Sequence, residues 1–329
     1  MENPIEIRWE FEDDIENIYS KSNEFWIKFA RTIFSCLSIK SKELIKKNGI
    51  KLKVELLKFS TFNYVELVQY LSYRMISKCI REIMIDHDHV STTGYNENFL
   101  EDEIWKMFMD KGSSIKYLEP TYIDIYYLPS GTNRLRYLSE LECSVDVSPI
   151  FYFNLAQLCR NIRKLSIAES GYDSIDDKFG FDLGFDDNQG LLSLIESQNN
   201  LEEIRLYCSN RTFTRLGEAL IKQSETLTTI HFINFMCIPI DSLNKLVNIK
   251  NLNIMFPYGY YFEKLNFINL PRLEVLKIQG ENERRYDDMS LFRKYAQLIE
   301  KTETLREIFV DMGMNLRKKE RNGNSKIIE

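Results

Sequence analysis

Three histidines, His87, His89 and His231, are all that 329 residues offer for acid–base work near neutral pH or for imidazole ligation of a metal. Asp86-His87-Asp88-His89 is the densest group of ligand types. Adjacent side chains alternate in direction, however, and no third, distant ligand accompanies them, so the segment reads as a solvated loop. Asp173, Asp176, Asp177, Asp182, Asp186 and Asp187 supply carboxylates of the kind calcium prefers, but without the EF-hand spacing, its central glycine or its closing glutamate. They read as a solubilising acidic loop. No nucleophile elbow, zincin helix or glycine-rich phosphate loop is present. The expectation is therefore a protein that is not an enzyme and carries no cofactor and no metal. His231 stands between Ile230 and Phe232, which sends it to the open side of a strand, as a recognition residue or as an incidental surface residue.

Whatever chemistry remains must be binding, and composition narrows the partner. A net charge of −6 gives no general attraction to nucleic acid or to an anionic membrane. Apolar residues make up 44% of the chain against 28% charged, enough for a core and against wholesale disorder. Cys36, Cys79, Cys143, Cys159, Cys208 and Cys237 are scattered through apolar segments with no C-x-x-C pair, and read as reduced core residues. Met1-Glu-Asn-Pro, followed by Glu6, Glu10, Glu12, Asp13 and Asp14, has neither the basic nor the apolar part of a secretory signal. No apolar run reaches the roughly eighteen residues of a transmembrane helix. A cytoplasmic protein follows. The run Arg317-Lys-Lys-Glu-Arg321 is a candidate nuclear localisation signal, weighed against the more common solvated tail.

The elements that position a binding surface show up as a repeat. The pattern apolar-x-x-apolar-x-apolar recurs at Ile162/Leu165/Ile167, Leu201/Ile204/Leu206, Leu227/Ile230/Phe232, Ile249/Leu252/Ile254, Leu273/Leu276/Ile278 and Leu305/Ile308/Val310. Looser copies stand at Ile115/Leu118/Pro120 and Leu138/Leu141/Cys143. First anchors are 22–26 residues apart except from 162 to 201 and from 273 to 305, close to the roughly 20–29 residue period of leucine-rich repeats. Second and third anchors share a strand face, so each copy predicts one short parallel strand. Helical spacing fills the intervals, as in Leu100/Ile104/Met107/Phe108 and Phe151/Leu155/Leu158/Cys159. Asn98 with Glu101 reads as a capping box, and Ser148 before Pro149 and Asp241 before Ser242 mark further helix starts.

The predicted fold class is an α/β leucine-rich-repeat solenoid of irregular repeats with parallel strands, preceded by a helical N-terminal cap. Its expected parts are a helical region over 1–97, the solenoid over 98–314 and a basic, disordered tail over 315–329. In the first part, Phe25, Phe29, Ile33 and Phe34 share a helical face, Ser41 through Lys47 forms a second helix stopped by Gly49, and Met75, Ile76, Cys79, Ile80 and Ile83 form a third. Alternation along the strands sends Glu119, Glu140, Glu142, Lys164, Ser166, Glu203, Arg205, His231, Asn253 and Lys277 to the open, concave face, where a partner would be held.

Phe151-Tyr-Phe-Asn-Leu-Ala-Gln-Leu-Cys-Arg-Asn-Ile-Arg-Lys-Leu-Ser-Ile167 and Gly190-Leu-Leu-Ser-Leu-Ile-Glu-Ser-Gln-Asn-Asn-Leu-Glu-Glu-Ile-Arg-Leu206 resemble a large fungal family of F-box and leucine-rich-repeat proteins. The likeness extends back through Ser114–Leu118 to Ile39–Ile50 and forward to about Val310. It implies that the repeats select a protein substrate while an amino-terminal F-box holds a Skp-type adaptor of a cullin-based ubiquitin ligase. No Leu-Pro-x-Glu-type F-box opening precedes the repeats here, and Met1-Glu-Asn-Pro looks like the stretch just after one. Adaptor binding is therefore expected only if an F-box is supplied upstream; otherwise the chain is a free-standing scaffold or decoy.

Overall fold

A computed structural model describes residues 22–52, 63–84, 90–112, 114–120, 132–145, 147–169, 185–208, 211–256, 267–280 and 304–311. Asp86 through His89, most of the acidic insert and the basic tail lie outside these residues. The protein is an α/β chain that divides into two compact units, one comprising 1–143 with 150–162 and the other 144–149 with 163–329. The first unit holds strands β1 (Tyr70–Ser72), β2 (Tyr117–Glu119) and β3 (Glu140–Ser144, as far as Cys143), paired in that order and parallel. The second holds β4 (Lys164–Ala168), β5 (Glu203–Tyr207), β6 (Thr229–Ile233), β7 (Asn251–Phe256), β8 (Val275–Gly280) and β9 (Glu307–Asp311), again in chain order and parallel throughout.

One backbone device starts a strand at nearly every step. The carbonyl of the residue after each first anchor accepts two successive N–H groups of the next strand: Lys116 from Ser139 and Glu140, Arg163 from Glu202 and Glu203, and Glu202 from Thr228 and Thr229. Thr228, Lys250 and Glu274 continue the series, at 2.8–3.1 Å. The anchors themselves, from Ile115 and Leu138 through Leu273, are buried, as are Leu165/Ile167, Ile204/Leu206, Ile230/Phe232, Leu252/Ile254 and Leu276/Ile278. Two-residue alternation thus fills one face with apolar side chains and leaves the other to polar ones. The last copy departs from this, since Ile308 in β9 is 40% exposed where its template position requires burial. Gln69 plays the same part for Lys116 and Tyr117. A further stretch with the same spacing, Val68/Leu71/Tyr73, therefore precedes those read from sequence.

Helices α1 (Asn23–Ser35), α2 (Ile39–Lys47), α3 (Tyr73–Ile83), α4 (Val90–Lys111) and α5 (Pro149–Leu158) belong mainly to the first unit. Side chains of Ser22, Ser38 and Ser72 cap the first three by accepting N–H bonds. Trp26, Ala30, Ile33 and Phe34 form the buried stripe of α1, whereas Phe25 and Phe29 are half-buried and stack on each other. α2 stops as expected at Gly49 (φ +71°): Ile50 N–H bonds Ile45 O at 3.2 Å and Gly49 N–H bonds Lys46 O at 3.0 Å, a closed Schellman turn. The capping box at Asn98 is overturned. α4 begins at Val90 and places Asn98 inside it, because nothing between them forbids helix and a box acts only where the chain cannot extend upstream.

In the second unit, α6 (Gln189–Glu196), α7 (Thr214–Ile221) and α8 (Ile240–Leu243) alternate with the strands. Buried Asn188 organises the entry to α6. Its Oδ1 accepts from Leu191 N–H at 3.0 Å, and its Nδ2 donates to Val145 O and Val147 O at 2.9 and 2.8 Å. The C-terminal carbonyls of that helix meet the next copy through Gln223, whose Nε2 donates to Ile195 O at 2.8 Å. Cys208, just after β5, and Cys237, just after β6, are joined as a disulfide with Cα atoms 6.1 Å apart. This corrects the expectation of six reduced thiols: one repeat step brings together two cysteines that scatter in sequence. Cys79, Cys143 and Cys159 are buried thiols outside the disulfide, and burial pushes them up to about 12. Among the described residues no helix is long and apolar enough to cross a membrane.

Candidate functional site on the outward strand faces

In the first unit the outward face holds an ion-pair cluster in which Arg74 is exposed, Glu142 half-buried and Glu119 buried. α3 begins immediately after β1, so Arg74 in its first turn reaches over the strands. Its Nε lies 2.9 Å from Glu119 Oε1 and its Nη2 3.2 Å from Glu142 Oε1. Ser72 Oγ donates to Glu119 Oε2, and the Tyr117 hydroxyl donates to Glu142 Oε2 at 3.0 Å. Glu119 is therefore not the solvated contact residue that alternation implied, being only 7% exposed. Burial, reinforced by the Glu142 charge and opposed by Arg74 and the Ser72 hydroxyl, pushes its carboxyl up to about 7. Burial and the same carboxylates raise the Tyr117 phenol. Glu140 and Glu142 are half-buried.

In the second unit the outward residues fall into rows fixed by register. Ser166, Arg205, His231, Asn253, Lys277 and Phe309 stand opposite one another across β4 to β9. A parallel row runs Lys164, Glu203, Thr229, Asn251, Val275, Glu307. With strands about 4.8 Å apart, neighbours in a row touch. Glu203 Oε1 accepts from Arg205 Nε at 2.8 Å and lies 3.3 Å from His231 Nε2. Burial works against ionisation of Glu203, but the bonds from His231 and Arg205 and their charges outweigh it and hold the carboxyl down to about 2. Asn253 Nδ2 lies 2.9 Å from His231 Nδ1, and Asn251 Nδ2 donates to Thr229 Oγ1 at 3.1 Å. Lys277 is exposed, its Nζ 5.4 Å from the centre of the Phe309 ring.

Of the residues expected on the open face, Lys164 and Lys277 are exposed, while Glu140, Glu142, Ser166, Glu203, Arg205, His231 and Asn253 are half-buried. Glu203, Arg205, His231 and Asn253 form one bonded chain; Glu119 and Glu142 share Arg74; Lys164 and Ser166 extend the rows without joining either group. Sequence reading missed Thr229 and Asn251, although they hold the same template position as Lys164 and Glu203. It also missed Ser72, Arg74 and Tyr117, the first two because their repeat copy went unrecognised.

Among the described residues no group of three or more histidines, cysteines and carboxylates could hold a metal ion. What these faces can do chemically is present donors, acceptors and charges in fixed rows to a complementary surface. No protein-family model matches the chain, and none of the curated proteins compared with it matches its sequence.

Proposed function

We propose that this chain is a protein-binding module, an irregular leucine-rich-repeat-like α/β solenoid with a helical cap, whose outward strand faces select a partner protein. One observation carries the reading: polar side chains from consecutive parallel strands stand in register across the second unit, while the opposite side of those strands is buried. Such rows are rigid, and rigid hydrogen-bonding groups bind with little ordering cost. By its resemblance, the module works inside the cell as the substrate receptor of an SCF-type ubiquitin ligase, and it carries out no catalysis itself. The test is site-specific photo-crosslinking in the native cell, with the crosslinker at Lys164 or Lys277 and a control at Glu218, exposed on α7. Capture of one protein from the strand positions and not from Glu218 is the expected outcome; capture from Glu218 alone would sink the proposal.

The second reading is a scaffold or decoy that binds a partner protein without delivering it to any ligase. Purified chain mixed with a Skp-type adaptor is accordingly expected to elute separately on size exclusion. A stable co-eluting complex would return the receptor reading to full strength.

A further inference from the structure

Across β4 to β7 the two outward rows already placed are polar throughout, and a third row, two residues further along each strand, is not. Register sets Ala168, Tyr207, Ile233 and Met255 opposite one another on those four strands, with Gln279 next on β8. They share the outward side with Ser166, Arg205, His231 and Asn253, since Ile167, Leu206, Phe232 and Ile254 between them are buried. Yet Ala168, Tyr207 and Ile233 are only half-buried, and Met255 is 44% exposed. An aromatic, a β-branched and a methionine side chain side by side, bordered by a polar row, have the composition of an interface centre rather than of a solvated face.

Spacing selects the shape of what fits. Strands stand about 4.8 Å apart, so the four positions cover about 14 Å. Along one face of an α-helix apolar residues recur every three or four positions, about 5 Å apart, so a helix laid across the strands meets one stripe residue per turn. An extended segment repeats on one face only every 6.7 Å or about that, and falls out of step with the strands within two positions. Charge selects the flank. The row bordering the stripe contains Arg205 and Lys277 and no carboxylate. Arg205 is bonded to Glu203, whereas Lys277 is exposed beside the Met255 end of the stripe.

We propose that the row Ala168–Tyr207–Ile233–Met255 is the docking stripe for one amphipathic α-helix of a partner protein, which lies across the strands with its apolar side on the stripe and acidic residues along the border that faces Arg205 and Lys277. This rests on the binding role proposed above and adds to it the shape and charge of the occupant. A phage-displayed library of random peptides of about 15 residues, enough for four helical turns, is selected on the purified chain. Enriched peptides are expected to carry apolar residues at intervals of three and four with Asp or Glu beside them, and to become helical on binding by circular dichroism. Met255→Asp should weaken them roughly tenfold or more, Lys277→Glu several-fold, and Glu218→Lys on α7 not at all. Four outcomes overturn the proposal: enriched peptides whose apolar residues alternate, binding that Met255→Asp leaves unchanged, no enrichment, or self-association of the chain that Met255→Asp abolishes, which gives the stripe to a second copy. Alternating peptides that still depend on Met255 would remove the helix and leave the binding role standing, so the two readings fail separately. The period is read on the wild-type chain and does not depend on any variant folding.

Discussion

Burial withdraws water from the Glu119 carboxyl and Glu142 adds a second negative charge beside it, effects that Arg74 and the Ser72 hydroxyl only partly offset. The protonated form is favoured in the folded chain up to about pH 7, whereas in the unfolded chain it is lost near the ordinary 4.5. The sign follows directly: the stabilisation this proton provides is complete below the unfolded value and is lost as pH rises through about 7. Glu101 in α4, pushed up to about 7 by burial and by its neighbours Asp102 and Glu97, acts in the same direction. Thermal melts should therefore fall between pH 5 and pH 8, with Glu119 contributing on the order of 1–3 kcal/mol of that loss. Glu119→Gln keeps an acceptor for Ser72 but no longer titrates, so its melting temperature should change less over the same range. If the variant and the wild type lose equal stability from pH 5 to pH 8, Glu119 is already ionised in the folded protein. The opposite case is Glu203, whose two donors keep it charged and whose contribution is lost only in strong acid, as pH falls through about 2.

Two glycines show how packing reverses a propensity that sequence assigns to both. Gly94 lies in α4 and Gly190 in α6, and by propensity alone either costs about 1 kcal/mol relative to alanine. A β-carbon at Gly94 would meet nothing within 4 Å, so Gly94→Ala should stabilise by roughly 0.5–1 kcal/mol. A β-carbon at Gly190 would run into the backbone carbonyl of Pro149, which cannot step aside as a flexible side chain could. Gly190→Ala should destabilise by about 1–3 kcal/mol despite the better helix former. Urea titrations of the two variants should shift in opposite directions; a shift in the same direction would mean that α6 does not approach Pro149 this closely. The strands were legible in the sequence because each copy repeats its anchors, and the outward rows followed from alternation alone. β1 was not, since its third template position, Tyr73, already starts α3. With β1 hidden, Arg74 had no place on the strand face, and the burial of Glu119 could not be foreseen. The paired cysteines were invisible for a similar reason, as only the register of successive copies shows that 208 and 237 meet.

At the scale of the molecule, everything argued for the open face depends on one choice of register, because shifting a strand by one residue exchanges its two faces. β8 tests that choice with two neighbours. Leu276 is buried opposite Leu252 and Ile308, while Lys277 is exposed opposite Asn253 and Phe309. Leu276→Asp would place an unpaired carboxylate among apolar side chains shared by successive copies. Such a charge costs several kcal/mol, a large part of a total stability of roughly 5–15 kcal/mol. Loss of the cooperative melt or aggregation should follow. Lys277→Glu changes a solvated head group and its contact with the Phe309 ring, so its stability should stay within about 0.5 kcal/mol of the wild type. Any partner that reads the row should nevertheless be weakened, since the row's exposed end has changed sign. Melts of the two purified variants decide the matter before any partner is known. If Lys277→Glu unfolds the protein and Leu276→Asp melts like the wild type, the faces are exchanged, and the bonded chain from Arg205 to Asn253 points into the core.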